Sequence, residues 1–320
     1  MTERNVFEGA PLDRVGIQCK DESWVAAQLA SPDARVLPVW RAKNLVSAPS
    51  EDSAEGGADI PTTPISLDMT TARTVAGSEA PLVLLGLAGA VPIFAADLSV
   101  IAEPLDALGL TGKGNFADLR DMAAVLDRGD SAVLAYARAL IHWHSHNRFC
   151  AKCGSATVSA QAGRVRRCVN ADCATHHFPR TDPAVIMLVT QGDSCLLARR
   201  TGRNPPIYST LAGFVEPGES LEEAVAREVM EEVGLGVRDI RYRSSQPWPF
   251  PAQLMLGFRA EATGRECRYL DDEIEDARWF TRAEMRGLFD GDANGTNSEV
   301  HLPRSISIAR RLIGEWATEG

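Results

Sequence analysis

The strongest chemical signal in the sequence is a group of carboxylates around Arg227. Glu228, Glu231 and Glu232 are spaced by three and four residues, so a helix places them on one face. Glu219 precedes this segment and can fold toward the same face. Like charges at this spacing destabilise an isolated helix, whereas a divalent cation that prefers oxygen ligands makes the arrangement favourable. The pattern therefore predicts a divalent-metal site in which Arg227 orients a carboxylate by a bidentate contact.

The residues on either side of these carboxylates predict a helix at about residues 220–233. Ser220 followed by Glu223 is a capping box, which marks a helix start. An apolar stripe gives the helix a buried side, and Gly234 is a stop signal. The stripe consists of Val225, Val229 and Val233. A solvated acidic helix face is the alternative interpretation, and the combination of a glycine-containing loop, an embedded arginine and a helix stop argues against it.

Cysteine spacing indicates a second metal centre. Two close pairs flank a segment with alternating residues and a turn at Gly163, as in a hairpin. Four thiolates bind zinc tetrahedrally and leave no open coordination position, so we expect one structural Zn²⁺ ion. Its predicted ligands are Cys150, Cys153, Cys168 and Cys173. The second pair is spaced more widely than is common, and His176 or His177 is an alternative ligand.

The chain has 320 residues and a formal net charge of −10, which argues against a general electrostatic grip on nucleic acid. Arg164, Arg166 and Arg167 lie in the cysteine segment, either as phosphate contacts or as a solvated basic hairpin.

The N-terminus has no apolar signal region. The apolar run at 80–96 is interrupted by glycine and proline, so it predicts two strands and no membrane span. An odd number of cysteines argues against a disulfide framework. We expect a cytoplasmic protein.

Changes in composition divide the sequence into a mixed α/β N-terminal domain at 1–145, a zinc ribbon at 146–180 and a third domain at 181–320. In the first domain, the patterns predict a strand pair at 82–87 and 91–96 and helices at 115–126 and 130–143. In the third domain, they predict strands at 183–190, 194–198, 238–244, 254–262 and 277–280, and helices that begin at Thr281 and Pro303.

Residues 213–235 resemble the Nudix box of the Nudix hydrolases, G-x5-E-x7-R-E-U-x-E-E-x-G-U, in which U is apolar. Every fixed position is met, by Gly213, Glu219, Arg227, Glu228, Val229, Glu231, Glu232, Gly234 and Leu235. The resemblance implies an α/β fold class, with a Nudix α/β/α sandwich around a mixed sheet at 181–320. It also implies hydrolysis of a nucleoside diphosphate linked to another group.

Ten residues beyond the box, residues 245–251 read SQPWPFP. Taken alone, this segment is a rigid proline-rich loop whose aromatic residues either pack on the core or contact a substrate. It is similar to the specificity motif SQPWPFPxS of the NADH pyrophosphatase subfamily, with Gln253 in place of the final serine. A zinc ribbon before the Nudix domain is also that subfamily's architecture. The resemblance covers about residues 146–316 and implies cleavage of NADH or NAD into nicotinamide mononucleotide, reduced or oxidised, and AMP.

The same resemblance implies roles for individual residues. Two or three Mg²⁺ or Mn²⁺ ions would be held by Glu228, Glu232, Glu273 and the backbone carbonyl of Ala212, with Glu219 and Glu231 in support. Glu275 is the nearest alternative to Glu273, Glu232 is the favoured general base, and Arg227 orients a carboxylate. The implied substrate contacts are Phe178, Phe214, Gln246, Pro247, Trp248, Pro249, Phe250, Pro251, Ala252, Gln253 and Ala309.

Other activities remain open at this point. Removal of an NAD cap from the 5′ end of RNA breaks the same bond, although the net charge is weakly against a long RNA partner. Hydrolysis of ADP-ribose or dinucleoside polyphosphates is disfavoured by the SQPWPFP segment. A zinc-ribbon binding protein with an inactive Nudix domain would have lost a glutamate of the box, and none is lost. The subfamily also implies a homodimer.

Overall fold

The structure, a computed structural model, describes residues 4–48, 62–77, 80–202, 205–269, 272–293 and 300–319. The chain divides into two compact units. The C-terminal unit consists of Met1–Val6, Asp182–Trp248 and Gln253–Gly320, and the N-terminal unit consists of Phe7–Thr181 and Pro249–Ala252. Among the described residues, none of the helices combines the length and the apolar character needed to cross a membrane.

The N-terminal unit contains a mixed sheet with strands β1 (Arg35–Trp40), β2 (Lys43–Ser47), β3 (Leu67–Asp68), β4 (Leu82–Ala88), β5 (Val91–Asp97) and β6 (Gly114–Ala117). The strand order is β4-β5-β1-β2-β6, β3 pairs with β1, and β1 runs parallel to β5. The helices of this unit are α1 (Glu22–Leu29), α2 (Met69–Ala76), α3 (Pro104–Ala107), α4 (Leu119–Met122) and α5 (Arg128–His146). Strands β4 and β5 confirm the predicted strand pair, and α5 confirms the helix predicted at 130–143.

The helix predicted at 115–126 is wrong except at Leu119–Met122, which form α4. Residues Gly114–Ala117 form β6, which pairs antiparallel with β2, and Phe116 is buried there. The helix begins only after Asp118, whose side chain accepts a hydrogen bond from the backbone N–H of Arg120. Pairing along the sheet edge and burial of one aromatic ring thus outweigh the local helical pattern.

The zinc ribbon segment forms strands β7 (Thr157–Ala160), β8 (Val165–Cys168) and β9 (His176–His177), which pair antiparallel. The chain reverses between β7 and β8 at Gly163, as predicted, with φ of 89°. A Cβ atom at Gly163 would lie 2.9 Å from the backbone of Val83, so glycine is required by space as well as by conformation. The hairpin between the two cysteine pairs is therefore confirmed.

The C-terminal unit is built on a second mixed sheet with strands β10 (Asp182–Gln191), β11 (Ser194–Arg200), β12 (Tyr208–Ser209), β13 (Leu211–Phe214), β14 (Val237–Trp248), β15 (Gln253–Ala262) and β16 (Ile274–Thr281). The strand order is β12-β11-β10-β15-β14, with β13 beside β10 and β16 beside β11. Strands β10 and β15 are parallel, and the pairs they form with their other neighbours are antiparallel. The helices are α6 (Leu221–Val233), α7 (Arg282–Ala293) and α8 (Ile308–Thr318). These elements confirm the predicted strands and the helices predicted at 220–233 and from Thr281. The last helix was predicted to begin at Pro303, which is wrong: it begins at Ile308, after Ser307 caps it by accepting a hydrogen bond from the backbone N–H of Ala309.

Both faces of this sheet are covered by helices. Val185 and Met187 of β10 pack with the valine stripe of α6, whereas the intervening Ile186 and Leu188 pack with α7 and α8. Burial on both faces explains why β10 is a continuous apolar run without alternation. The result is an α/β/α sandwich, as the sequence predicts.

Candidate active site and metal centres

Helix α6 begins at the predicted capping box. The Ser220 hydroxyl accepts a hydrogen bond from the backbone N–H of Glu223, and the Glu223 carboxylate accepts one from the backbone N–H of Ser220. Gly234 ends the helix in a left-handed conformation, with φ of 67°. The valine stripe is fully buried against the sheet. This fixes the rotation of α6, so the other side of the helix presents the glutamates.

Arg227 is the centre of a charged network at the start of this site. Its Nε and one terminal nitrogen donate to both carboxylate oxygens of Glu219, at 2.6 and 2.9 Å. The other terminal nitrogen donates to Glu228 at 2.8 Å and to Glu231 at 2.9 Å. The hydrogen bonds from Arg227 hold the pKa of Glu219 down at about 2. Arg227 therefore orients carboxylates, with Glu219 as the bidentate partner.

Glu232 lies deeper than its neighbours, with only 4% of the residue exposed. Its Oε1 atom is 3.2 Å from the guanidinium of Arg200, and its buried Oε2 atom has no hydrogen-bond partner among the described residues. Burial, opposed by the charge of Arg200, raises the pKa of Glu232 to about 7. A buried carboxylate oxygen without a donor is an incomplete arrangement for a protein by itself.

Glu228 packs directly against the backbone of β13. A Cβ atom built on Gly213 would lie 1.8 Å from the carboxylate carbon of Glu228 and 2.0 Å from each of its oxygens. Burial raises the pKa of Glu228 as well, against the pull of Arg227. Glycine at the first fixed position of the Nudix box is thus needed because the carboxylate of the helix occupies the space of a side chain.

Arg200 completes the site, and the sequence analysis did not identify it. Its guanidinium donates to Glu232 and, at 3.1 Å, to the backbone carbonyl of Ala212, and it lies 3.9 Å from the Glu273 carboxylate. Glu275 is directed elsewhere, since it pairs with Arg199 at 3.1 Å. An arginine at the end of a buried strand is a weak signal in a sequence, and only the fold reveals its partners.

These residues fit a divalent cation. Glu232, Glu273 and the carbonyl of Ala212 surround one guanidinium, and the Glu228 carboxylate is held above Gly213 next to them on α6. All of these donors are hard oxygens, which Mg²⁺ and Mn²⁺ prefer. Such an ion would also compensate the buried charge of Glu232, so the donor set and the burial agree.

The four ribbon cysteines come together as predicted. One Sγ atom from each of Cys150, Cys153, Cys168 and Cys173 lies within 4.8 Å of the others. His177 is beside the cluster, with its Nε2 atom 3.3 Å from the sulfur of Cys150, while His176 is on the exposed side of β9. The cluster has the ligand number and type of a closed structural zinc site.

Gln246 of the SQPWPFP segment is fully buried, and its amide group is used inside the C-terminal unit. The amide nitrogen donates to the carbonyls of Val6 and Ile306, and the amide oxygen accepts from the backbone N–H of Ile308. Pro247 and Trp248 continue along β14 and are partly exposed. The structure therefore places the Gln246 amide on the backbone that leads into α8.

The remaining residues of this segment, together with Ala252, group with the N-terminal unit. Phe250 is buried, with its ring 5.8 Å from that of Phe7 and the guanidinium groups of Arg120 and Arg138 over its face at 4.4 and 4.9 Å. The carbonyl of Pro249 accepts a hydrogen bond from Arg138 at 2.7 Å. Pro251 is exposed, and Ala252 and Gln253 are partly exposed.

Two further aromatic positions implied by the resemblance are open to solvent: Phe178 is 66% exposed and Phe214 is 54% exposed. Both are large apolar rings whose exposure suits contact with a planar ligand. Ala309, in contrast, is 2% exposed and packs in the core between the sheet and α8. The structure thus leaves the two rings accessible and places Ala309 beneath the surface.

Two of the three ribbon arginines are used within the N-terminal unit. Arg166 is buried and donates to Thr157 and to Nδ1 of His144. Arg164 donates to the carbonyls of Arg14 and Leu85. Because their guanidinium groups are bound to other groups of the protein, these two arginines neither project as phosphate contacts nor form a solvated basic surface.

Helix α6, which carries the glutamates, packs over Gly213 of β13 in an α/β/α sandwich. This arrangement is typical of the Nudix hydrolases. The model of the NUDIX domain matches residues 180–299, that of the NADH pyrophosphatase zinc ribbon domain matches 145–178, and that of the NADH pyrophosphatase-like rudimentary NUDIX domain matches 33–143. The chain belongs to the NADH pyrophosphatase subfamily of the Nudix hydrolases.

Two relatives named NudC support the same assignment. The NAD-capped RNA hydrolase NudC of Mycobacterium tuberculosis is 48% identical over 204 residues, which are 62% of this chain and 64% of that protein's length. The protein of the same name from Pseudomonas aeruginosa is 41% identical over 222 residues, 69% of this chain and 72% of that one. A crystal structure of a Nudix hydrolase from Nitrosomonas europaea matches with a TM-score of 0.38 and 20% identity, over 49% of this chain and 98% of that one.

Proposed function

We propose that the protein hydrolyses the pyrophosphate bond of NADH and NAD to give reduced or oxidised nicotinamide mononucleotide and AMP. The observation that carries this proposal is the oxygen-lined site of Glu228, Glu232, Glu273 and the Ala212 carbonyl within a complete Nudix box. The SQPWPFP segment and the matches to two NADH pyrophosphatase domains support the choice of substrate.

The chemistry at this site requires one bond to form and one to break. The oxygen of a water molecule attacks one phosphorus of the diphosphate, the bridging P–O bond breaks, and the water proton leaves to a carboxylate. Glu232 is the base we favour, because its Oε2 atom is buried and lacks another partner among the described residues. Arg227 keeps Glu219, Glu228 and Glu231 in position.

The cofactors we propose are Mg²⁺ or Mn²⁺, two or three ions per site. Glu228, Glu232, Glu273 and the Ala212 carbonyl would hold them, with Glu219 and Glu231 in support. When bound, such ions neutralise the diphosphate and make a water molecule more acidic. The four-cysteine cluster would hold one Zn²⁺ ion, which has a structural role because no coordination position is left open.

Incubation of NADH with the zinc-loaded protein and Mn²⁺ or Mg²⁺ tests this function directly. Chromatography should show AMP and reduced nicotinamide mononucleotide in equal amounts, and removal of the divalent cation by EDTA should abolish both. Cleavage of ADP-ribose or dinucleoside polyphosphates with NADH left intact would contradict the choice of substrate. Binding of nucleotide without any cleavage would instead favour an inactive, regulatory Nudix domain.

Removal of NAD caps from RNA is a second candidate, favoured by the activity for which the relatives that are 48% and 41% identical are named. The bond broken is the same, so the two activities are compared by kcat/KM for NADH and for a short NAD-capped RNA. A higher value for the RNA would make cap removal the main activity.

Three further properties belong to the proposal. We propose a homodimer in the cytoplasm that acts without a membrane partner. Light scattering coupled to size-exclusion chromatography measures the first property, with twice the mass of the chain as the expected result. Fractionation of cells that express the protein measures the other two.

A further inference from the structure

We propose that Arg200 competes with the divalent cation: its guanidinium lies among the oxygens proposed to hold the ion, and it must withdraw when the ion binds. This inference rests on the proposed function only in that it takes these oxygens to be metal ligands. It concerns a residue outside the Nudix box, for which the box pattern provides no role.

The end of strand β11 determines where Arg200 points. Arg199 pairs with Asp276 of β16, but Arg200 pairs with Ile274, so Glu275 is an extra residue at a bulge between the two strands. A bulge redirects the side chains next to it. Successive residues of a strand also face opposite sides, which separates Arg199 with Glu275 from Arg200 with Glu232.

The partners of Arg200 are the groups that a metal ion would need. The same terminal nitrogen lies 3.2 Å from Glu232 Oε1, 3.1 Å from the Ala212 carbonyl oxygen and 3.9 Å from Glu273 Oε2. These are three of the four proposed ligands, and they come from α6, β13 and the residue before β16. A single cationic nitrogen thus stands at the point where oxygens from three parts of the unit converge.

The guanidinium and a metal ion exclude each other for two reasons. They need the same lone pairs on the same oxygens, and two positive charges a few ångströms apart repel each other. Arg200 also has room to leave, because 48% of its side chain is exposed while the Glu232 side chain is 5% exposed. Metal entry therefore moves the exposed arginine and leaves the buried carboxylate where it is.

The test is the affinity of the zinc-loaded full chain for Mn²⁺ without nucleotide, measured by the electron paramagnetic resonance signal of free Mn²⁺. Arg200→Gln removes the competitor, and Arg199→Gln is the matched control, because it removes one neighbouring positive charge that faces Glu275. We expect Arg200→Gln to bind Mn²⁺ about 1.5- to fivefold more tightly than Arg199→Gln, the range expected for loss of a partly exposed ion pair. Mn²⁺ should also raise the melting temperature of Arg200→Gln more than that of the control.

Glu232→Gln identifies the binding that belongs to this site, since that binding should be lost in the variant. Equal affinity of Arg200→Gln and Arg199→Gln for this Mn²⁺, or weaker binding by Arg200→Gln, would overturn the competition. The competition would also be overturned if Glu232→Gln bound Mn²⁺ as tightly as the wild type, because no binding would then belong to this site. Hydrolysis of NADH by the wild type is measured separately. If Arg200→Gln binds Mn²⁺ more tightly but the wild type does not cleave NADH, this inference is retained and the proposed function is rejected.

Discussion

Carboxylates on or next to one short helix have opposite electrostatic environments in this site. Arg227 donates to both oxygens of Glu219 and holds its pKa at about 2, so this side chain remains charged. Burial raises the pKa of Glu232 to about 7, because its own arginine partner, Arg200, is half exposed and compensates only in part. The first group is suited to a supporting role, whereas the second is suited to bind a cation or accept a proton.

Replacement of the buried carboxylate gives the residue-scale prediction. Glu232→Gln should lower kcat for NADH hydrolysis by at least about a hundredfold, since it removes both a metal ligand and the favoured base. Circular dichroism should remain that of the wild type, because the amide has the same shape. Glu222→Gln, at an exposed position in the first turn of the same helix, is the control and should retain the activity. A Glu232→Gln protein with normal kcat would contradict the assignment.

Sequence reasoning reached part of this arrangement. Helical spacing was sufficient to place Glu228, Glu231 and Glu232 on one face and to predict that Arg227 orients a carboxylate. It was not sufficient to show that Glu232 is the buried member, because that depends on how α6 packs on the sheet. Nor could it show that Arg200 faces Glu232, because a bulge between strands distant in sequence directs Arg200. The partners of the Gln246 amide could not be predicted either, because Ile306 and Ile308 lie about sixty residues further along the chain.

At the scale of elements, the site depends on how closely α6 approaches β13. The Glu228 carboxylate takes the space that a side chain on Gly213 would need. The sequence predicted α6 well because its start, buried stripe and end are all local signals, and the buried strand β10 was clear from its apolar run. The sequence-based prediction was wrong at β6, because the pairing of β6 with β2 decides its conformation.

Gly213→Ala tests this close approach. The added methyl group must displace the Glu228 carboxylate, and a shift of about 1 Å can reduce the rate about a hundredfold, so we expect a loss of that order in kcat. Gly264→Ala is the matched control in the same unit, since a Cβ atom at Gly264 meets nothing within 4 Å. Wild-type activity of Gly213→Ala would show that the Glu228 position is not important for the reaction.

The contact between α5 and the ribbon strand β8 predicts a pH dependence of stability. His144 donates from Nε2 to the Gly163 carbonyl and accepts from Arg166 at Nδ1, which fixes a neutral ring. Burial lowers the pKa of His144 to about 4, so the unfolded chain binds a proton at higher pH than the folded one. Stability is therefore retained above about pH 6.5 and is lost as the pH falls toward 4.

The expected loss from this histidine is about 2–3 kcal/mol in the free energy of unfolding between pH 7.5 and 4.5. Urea denaturation at both pH values measures it. Thiolate protonation at the zinc site also weakens the protein in acid, so the relevant quantity is the difference between the wild type and His144→Gln. An identical pH dependence for the two proteins would show that His144 is not the group responsible.

At the scale of the whole molecule, we propose separate tasks for the two metal centres. The cysteine cluster lies in the N-terminal unit. It brings Cys150 and Cys153 together with Cys168, the last residue of β8, and with Cys173 in the turn that follows. The carboxylate site lies in the C-terminal unit. Because a zinc ion with four thiolates has no open position, we expect it to contribute to stability and not to the proposed bond cleavage.

Cys153→Ser should therefore lose the zinc ion, measured by atomic absorption, and should unfold at a lower temperature than the wild type. The reason is that metal binding free energy is part of the folding free energy in such ribbons. The protein that remains folded should still cleave NADH. Cys267→Ser, outside the cluster, is the control and should keep its zinc. A Cys153→Ser protein that is free of zinc, equally stable and active would contradict a structural role for the ion.

The central claim is that this chain cleaves the diphosphate of NADH with water. We would incubate the zinc-loaded protein with NADH and Mn²⁺ in ¹⁸O-labelled water and analyse the products by mass spectrometry. The account predicts AMP and reduced nicotinamide mononucleotide in equal amounts, with one ¹⁸O atom on the phosphate of one of the two. Intact NADH, or cleavage to dihydronicotinamide and ADP-ribose without phosphate labelling, would contradict it.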